Sequence, residues 1–472
     1  MSEYRYEKIS KHIEYLITKQ VFKLGDRIPS VREVSREQGV SMSTVLQAFY
    51  ELESRSLIES RPNSGFYVSF SPKNYPEIPS TSRPGRGMKE YTANDILEET
   101  FENIQKKNFT HFSLGVPANE LLPIAKLNKG VMKATRSLTG SGTSYEEING
   151  NIHLRKQIAR RAFTWQGKLS AADVITTSGC INALAYCLMA LTSPGDTIAV
   201  ESPVYFGILQ LAASLKLKVV EVATNPVTGM ELDAVKKLIQ KTKIKACLLI
   251  SNFNNPVGSC MPDEHKKEIV RLMEKFNVPI IEDDLYADTY FGDKRPVSCK
   301  TFDESGNVLW CSSMSKTLAP GYRAGWVAPG KYFRQVSHIK FVQSIACTTL
   351  THEVVADFLE NGRYENHLRN LRQTLRLNSM QFLRAVSEYF PEGTKVNRPS
   401  GGFFLWLEFP KKFDAVSLYE QALKHRISIS PGKLFTLQNQ FHNCIRLSYG
   451  MKWDPKLEQS LKVLGRLAKE ES

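Results

Sequence analysis

Ser313-Met314-Ser315-Lys316-Thr317-Leu318-Ala319-Pro320-Gly321-Tyr322-Arg323-Ala324-Gly325-Trp326 places one lysine between small hydroxyl residues and sets an arginine beyond a Pro-Gly turn. A lysine that holds an aldehyde cofactor as a Schiff base needs such surroundings. Its amine must be oriented, desolvated enough to be neutral, and close to a cation that takes a phosphate. A lysine in an ordinary surface turn would read the same way, so the rest of the chain decides between the two.

On either side of this run, helical and strand patterns alternate from about residue 93. Apolar strand candidates fall at 173–177, 197–200, 218–222, 246–250, 279–282 and 308–311, with amphipathic helical stretches between them. That alternation predicts an α/β unit built on a mostly parallel sheet with crossover helices. Beyond about residue 328, helices expected over 332–349 and 353–389 lead into strands near 402–408 and 443–447. These predict a smaller C-terminal α+β subdomain.

Chemistry-bearing residues sit at the ends of these strands. Thr177-Ser178-Gly179-Cys180-Ile181-Asn182-Ala183 ends a strand and opens a helix. Backbone N–H groups at Gly179, Cys180 and Ile181 then suit a phosphate at the positive end of the helix. Tyr205 offers an aromatic face for ring stacking, although a core position would use the same residue. Asn255, in Asn254-Asn255-Pro256-Val257-Gly258, is placed to donate to a ring hydroxyl. Ile281-Glu282-Asp283-Asp284-Leu285-Tyr286 ends another strand with carboxylates. A carboxylate facing a pyridine nitrogen keeps it protonated and makes the ring an electron sink. Asp283 suits that task better than Asp284, because Tyr286 then reaches the ring hydroxyl. Carboxylates that are merely solvated or capping a helix are the plain alternative.

Together these positions resemble the fold-type I pyridoxal phosphate enzymes, specifically class I aminotransferases, over residues 110–450. The resemblance includes Gly115-Val116-Pro117, Tyr145 with Ile148, Gly150, Leu154 and Arg155, and Arg446-Leu447-Ser448. It implies the PLP-dependent transferase fold and pyridoxal 5'-phosphate as cofactor, bound as a Schiff base on Lys316. It implies phosphate contacts from Gly179, Cys180, Ser313 and Arg323, and from Tyr145 of a neighbouring subunit, with Ser315 also at the cofactor. It assigns Arg446 to the carboxylate of a ligand, a task that suits a forked guanidinium. Two departures stand out: Cys180, Ile181 and Asn182 replace polar residues common after the glycine, and Leu285 stands where many relatives have tyrosine.

Residues 1–69 read differently. An apolar stripe runs through 6–19, Ser30 is a helix cap before 31–38, Gly39 closes that helix, and Ser41 or Ser43 caps the next. Two short strands surround Arg61-Pro62-Asn63-Ser64. This is helix-turn-helix spacing followed by a wing. Ser41, Ser43, Thr44, Gln47 and Tyr50 supply hydrogen-bonding groups to a major groove. Ser30, Arg27, Arg32, Arg61, Ser64 and Gly65 are placed at the backbone or a minor groove. The run resembles the winged helix-turn-helix of GntR-family regulators. Residues 70–92, rich in Pro, Ser and Gly, read as a semi-extended linker to the unit at 93–472.

Composition sets the outer limits. The 472 residues suggest two or three domains. The eight cysteines show no Cys-x-x-Cys and read as reduced thiols in a cytoplasmic protein, with no metal site. No signal pattern or apolar run long enough for a membrane span is present. A net charge of +14 suits a polyanionic partner, yet residues 1–69 hold 10 Lys+Arg against 9 Asp+Glu. Operator recognition there rests on pattern, not bulk charge.

A GntR-type reader joined to an aminotransferase-like unit resembles the MocR subfamily. The resemblance implies a homodimer that binds double-stranded operator DNA. It also implies a large unit that senses an amine or amino-acid effector, or the cofactor itself. A working aminotransferase carrying a DNA-binding appendage is the second reading. A large unit that binds ligand without covalent chemistry is the third.

Overall fold

The computed structural model describes residues 4–19, 21–22, 25–55, 57–61, 64–69, 76–85, 87–89 and 108–472. In the reader, α1 (Arg5–Thr18) buries Ile9, Ile13 and Ile17, one residue per turn along a single face. The helix α2 (Val31–Gln38) starts with a reciprocal cap. Ser30 Oγ accepts from Glu33 N at 3.3 Å, and Ser30 N donates to Glu33 Oε2 at 2.6 Å. It stops at Gly39, whose left-handed φ of 61° suits glycine. Ser41 caps α3 (Met42–Ser54), which buries Val45, Ala48, Phe49 and Leu52 against α1 and α2. The wing strands β1 (Ile58–Arg61) and β2 (Gly65–Val68) pair antiparallel, with Ile58 opposite Val68.

The stretch expected as a linker is, over 76–85 and 87–89, extended backbone held on the large unit. Ser80 N donates to Glu408 at 2.6 Å, Ser82 N donates to the Thr224 carbonyl at 3.1 Å, and Lys89 pairs with Val219. The remaining residues of 70–92 lie outside the described part.

The remaining strands of the large unit start with β3 (Thr110–His111), β4 (Ile175–Ser178), β5 (Thr197–Ser202), β6 (Lys218–Asn225) and β7 (Gly229–Met230). The sheet continues through β8 (Ala246–Leu249), β9 (Ile280–Asp283), β10 (Val308–Ser313) and β11 (Ala324–Ala328). Eight strands form one sheet in the order β4-β11-β10-β9-β8-β5-β6-β7. The five strands from β10 to β6 run parallel, while β11 lies antiparallel between β4 and β10. The expected strands all appear in this sheet. Two strands were not expected: the two-residue β7, and β11, an Ala-Gly-Trp-Val-Ala run whose Ala and Gly residues are poor strand formers. Its glycine has a steric cause: a Cβ on Gly325 would stand 2.5 Å from the Gly179 backbone.

The C-terminal part holds β12 (Lys395–Val396), β13 (Phe404–Glu408), β14 (Ile427–Ser428), β15 (Ser430–Pro431) and β16 (Cys444–Ser448). Four of these form an antiparallel sheet ordered β12-β13-β16-β15, and β14 pairs in parallel with β3. Two helix expectations need correction. The segment 353–389 is two helices, Thr349–Glu360 and Arg363–Tyr389, broken where Gly362 takes φ 66°. The segment 332–349 stops being helical at Ile345, which takes φ 57°. One apolar core, including Phe112, Ile281, Phe382, Phe404 and Tyr449, joins the large sheet to the small one. Burial of this size supplies the main stabilisation of the fold. It also fixes the strand ends that carry the site.

Candidate cofactor site and DNA-reading face

The C-terminal ends of β4, β9 and β10 bring the predicted residues to one place. At one side, Gly179 has φ 89° and starts the helix Cys180–Leu191. Arg323 lies beside it, donating from Nη2 to the Ser178 carbonyl at 3.1 Å and from Nη1 to Ser315 Oγ at 3.3 Å. A Cβ on Gly179 would stand 2.1 Å from Arg323 Nη2, so only glycine allows this approach. Arg323 itself takes φ 50°, a left-handed conformation held by its surroundings. Ser313 Oγ accepts from Ser315 N at 3.2 Å. Gly179, Ser313, Ser315 and Arg323 thus form a cradle of donors at a helix N-terminus, suited to a phosphate. Ile181, the second residue of that helix, is 39% exposed.

Asp283 ends β9, and burial pushes its carboxyl up to about 6, while a 3.2 Å hydrogen bond from the Cys180 thiol opposes the rise. Asn255 donates from Nδ2 to Tyr286 Oη at 3.3 Å, as a pair sharing one ring hydroxyl requires. Burial also raises the Tyr286 and Tyr205 phenols. Lys316 Nζ donates to the Gly115 carbonyl and lies 5.9 Å from the Tyr286 ring centre. Burial, with the Arg446 and Arg323 guanidinium groups, lowers the lysine to about 8, against the pull of Asp283. A substantial neutral fraction near pH 8 is what a nucleophilic amine needs.

Arg446, in β16, is buried with its guanidinium 4.5 Å from the Phe404 ring centre and 5.1 Å from that of Phe435. Nη1 donates to Asn255 Oδ1 at 2.8 Å, and Nη2 donates to the Ser113 carbonyl and to Ser430 Oγ. Its Nε is buried without a partner among the described residues. Burial lowers this guanidinium to about 10. A buried cation with neutral acceptors and one unanswered donor fits an incoming carboxylate. Tyr145 is 83% exposed on its own chain.

Sequence reasoning missed several partners. Ser113, Ser430, Phe404 and Phe435 around Arg446 come from four separate segments, and no spacing links them. Glu201 was also silent. It is buried, accepts from Ile250 N and Asn254 Nδ2 at 2.7 Å each, and burial raises it to about 8. It braces the turn that presents Asn255.

The residues present fit pyridoxal phosphate, on the donor cradle, the near-neutral lysine, the carboxylate at the far end and the Asn255–Tyr286 pair. When bound, that cofactor supplies an aldehyde for amines and a ring that accepts electrons. Gly179, Ser313, Ser315 and Arg323 would hold its phosphate, Asp283 would keep its ring nitrogen protonated, and Lys316 would take its aldehyde.

In the reader, Ser41 Oγ accepts from Thr44 N at 3.2 Å and lies 2.8 Å from both Ser43 Oγ and Thr44 Oγ1. Gln47 and Arg32 are exposed. Arg27 pairs with Tyr67 and lies along Gly65, whose φ is 106°. Ser64 Oγ is 2.7 Å from Tyr67 Oη. The Ser30 hydroxyl is engaged in its cap. Tyr50 lines a cleft of about 840 Å³ that faces the helix Arg363–Tyr389. The Arg61 side chain lies outside the described residues.

Residues 5–68 match the bacterial regulatory proteins of the gntR family, and residues 112–462 match aminotransferase class I and II. The HTH-type transcriptional regulator YjiR of Escherichia coli is 34% identical, over 98% of this chain and 98% of its own. NorG of Staphylococcus aureus, also an HTH-type transcriptional regulator, is 28% identical over 92% of this chain and 98% of its own. Among solved structures, the multiple substrate aminotransferase of Thermococcus profundus superposes with a TM-score of 0.75 at 24% identity, covering 80% of this chain and 96% of that one. That likeness shows the fold. The chain belongs to the GntR-type transcriptional regulators of the MocR kind, in which a helix-turn-helix reader is joined to a pyridoxal phosphate-dependent, aminotransferase-like domain.

Proposed function

We propose that this regulator senses an amine that carries a carboxylate, by letting it compete with Lys316 for the cofactor's aldehyde while its carboxylate meets Arg446. The observation that carries this reading is the pairing of a lysine lowered to about 8 with a buried guanidinium whose Nε has no partner among the described residues. An amino acid answers both. The reader at 1–69 binds operator DNA through Ser41, Ser43, Thr44 and Gln47, with Arg27, Arg32 and Arg61 at phosphates. Residues 70–92 tether it to the unit at 93–472, which carries a smaller C-terminal subdomain from about 328. The chain acts in the cytoplasm as a homodimer, in which Tyr145 completes the neighbour's phosphate cradle. Its 83% exposure supports that role, since a phenol serving its own site would be covered.

Ligand binding biases two arrangements of the readers by its different affinity for each. The test is a spectral titration of the purified protein with a panel of amines and amino acids, with operator affinity measured in parallel. Amino acids should shift the visible band and the operator affinity together. Lys316→Ala should lose the band and the response yet keep operator binding. A ligand response that survives Lys316→Ala would overturn the covalent form of sensing. Efficient multiple turnover with a 2-oxo acid would favour a working aminotransferase.

A further inference from the structure

Cys180 was read as a phosphate contact through its backbone, but its side chain turns the other way. The thiol donates to Asp283 Oδ1 at 3.2 Å, and both residues are buried. We propose that Cys180 is a positioning residue for the ring-nitrogen carboxylate, its thiol setting how strongly Asp283 holds the cofactor's ring proton. The inference rests on the cofactor lying in this cradle.

The surroundings isolate this hydrogen bond. Cys180 opens the helix Cys180–Leu191, and two turns later on the same face Cys187 places its sulfur 3.7 Å from that of Cys311. Cys311 is the register neighbour of Asp283 on the adjoining strand. The floor beneath the carboxylate is therefore a layer of sulfur, which offers weak donors only. The charged and titratable groups acting on Asp283 are Asp284, which raises it, and Lys316, which lowers it; the Leu285 N–H also lowers it. Asp283 in turn raises Glu201, Tyr205 and Tyr286. Among the described residues, the side-chain donor to its carboxylate is the Cys180 thiol. Burial and the adjacent carboxylate keep that thiol protonated, so it stays a donor.

A thiol is a weaker donor than a hydroxyl. It anchors Asp283 in one orientation and leaves the carboxylate basic enough to keep a proton on a pyridine nitrogen. A hydroxyl at the same place would draw more charge from the carboxylate and loosen that proton. A methyl group would draw none. Because the phosphate contact uses the Cys180 backbone, side-chain exchange leaves it in place.

The experiment compares native protein, Cys180→Ala and Cys180→Ser, each loaded with cofactor carrying 15N at the ring nitrogen. The pH at which the 15N signal moves from pyridinium to neutral pyridine should fall in the order Ala, Cys, Ser. A second measurement uses the cofactor-free chains, so that poor loading cannot obscure the result. Asp283 ionises near pH 6 there, and subtracting native from variant profiles of Tm against pH should show that step higher in Cys180→Ala and lower in Cys180→Ser. Equal midpoints in all three proteins, or shifts of the same sign in both variants, would overturn the proposal. Loss of loading with the Tm order intact would count against the cofactor's placement and leave the Cys180–Asp283 link standing.

Discussion

Burial and the Arg446 guanidinium both make the surroundings of Lys316 less hospitable to positive charge. The guanidinium helps hold the amine near 8. The rate at which cofactor-free protein regains its visible band should therefore rise with pH through about 8 and level off above it, since the neutral amine attacks the aldehyde. A rate already level below pH 7 would contradict this. The same shift bears on stability with a definite sign. The folded amine loses its proton near 8 and the unfolded one near 10.5, so the unfolded state binds more protons between them. The cofactor-free chain should gain stability from this group as pH rises across that window. Arg446→Lys puts the fork itself to the test. An ammonium cannot serve Asn255, Ser113 and Ser430 and still offer two parallel donors to a carboxylate. Effector affinity should fall about ten- to a hundredfold, while the cofactor band persists. Unchanged affinity would mean that the carboxylate binds elsewhere. At this scale the sequence was legible where one residue type does one job. Lys316 stood out beside the Pro-Gly turn, Asp283 and Asn255 after buried strands, and Arg446 entered through the family resemblance. Ser430 and Phe435 did not stand out, because serines and aromatics on small-sheet loops have many structural uses. Only the folded chain brings them to the guanidinium.

Elements were easiest to read where local chemistry decides them. The reader helices carry their own boundary signals: Ser30 with Glu33 starts one, Gly39 ends it, and Ser41 starts the next. The buried strands of the parallel sheet show as apolar runs. By contrast, β11 depends on a tertiary fact, the passage of Gly325 under Gly179, which no local pattern records. The break at Gly362 was missed for the opposite reason: the apolar stripe continues on both sides of it. The two capping serines also separate stability from recognition. Ser30→Ala removes a reciprocal cap and should destabilise the reader by about 1 kcal/mol. Its operator affinity should then drop only as far as reader unfolding explains. Thr44→Ala together with Gln47→Ala leaves the Ser41 oxygen free to accept from the Thr44 backbone N–H. That variant should keep the reader's melting temperature and lose operator affinity. Melting curves beside operator titrations distinguish the two, and a stable Ser30→Ala reader with lost affinity would make Ser30 a DNA contact after all.

For the molecule as a whole, the helix Arg363–Tyr389 links the cofactor site to the reader. Near its start, Tyr364 Oη donates to Thr317 Oγ1 at 2.7 Å, and His367 Nε2 lies 2.6 Å from the Thr317 carbonyl. Thr317 follows Lys316 directly. Near its end, Arg384 donates to Glu59 of the wing at 2.8 Å and to Glu458 at 3.3 Å. The helix of 27 residues is stiff, and about 30 Å of it separates Tyr364 from Arg384. Clefts of about 840 and 560 Å³ lie between the reader and this helix, lined from the reader by Tyr50, Glu59 and Arg55 and from the large unit by Arg372, Arg376 and Met380. An ion pair such as Arg384–Glu59, about a quarter exposed on each side, contributes roughly 0–1 kcal/mol, enough to bias two arrangements of similar energy but not to lock either. Arg384→Ala should thus leave effector binding unchanged and alter operator affinity without effector by no more than about fivefold. What it should reduce is the coupling, the factor by which effector changes operator affinity. By linkage, the factor by which operator DNA changes effector affinity must shrink equally. Glu59→Gln should do the same, and the double variant should lose no more coupling than either alone if the two act as one contact. Full coupling in all three would place the route elsewhere, with Ser82 and Lys89 and their bonds to Thr224 and Val219 the next contacts to test.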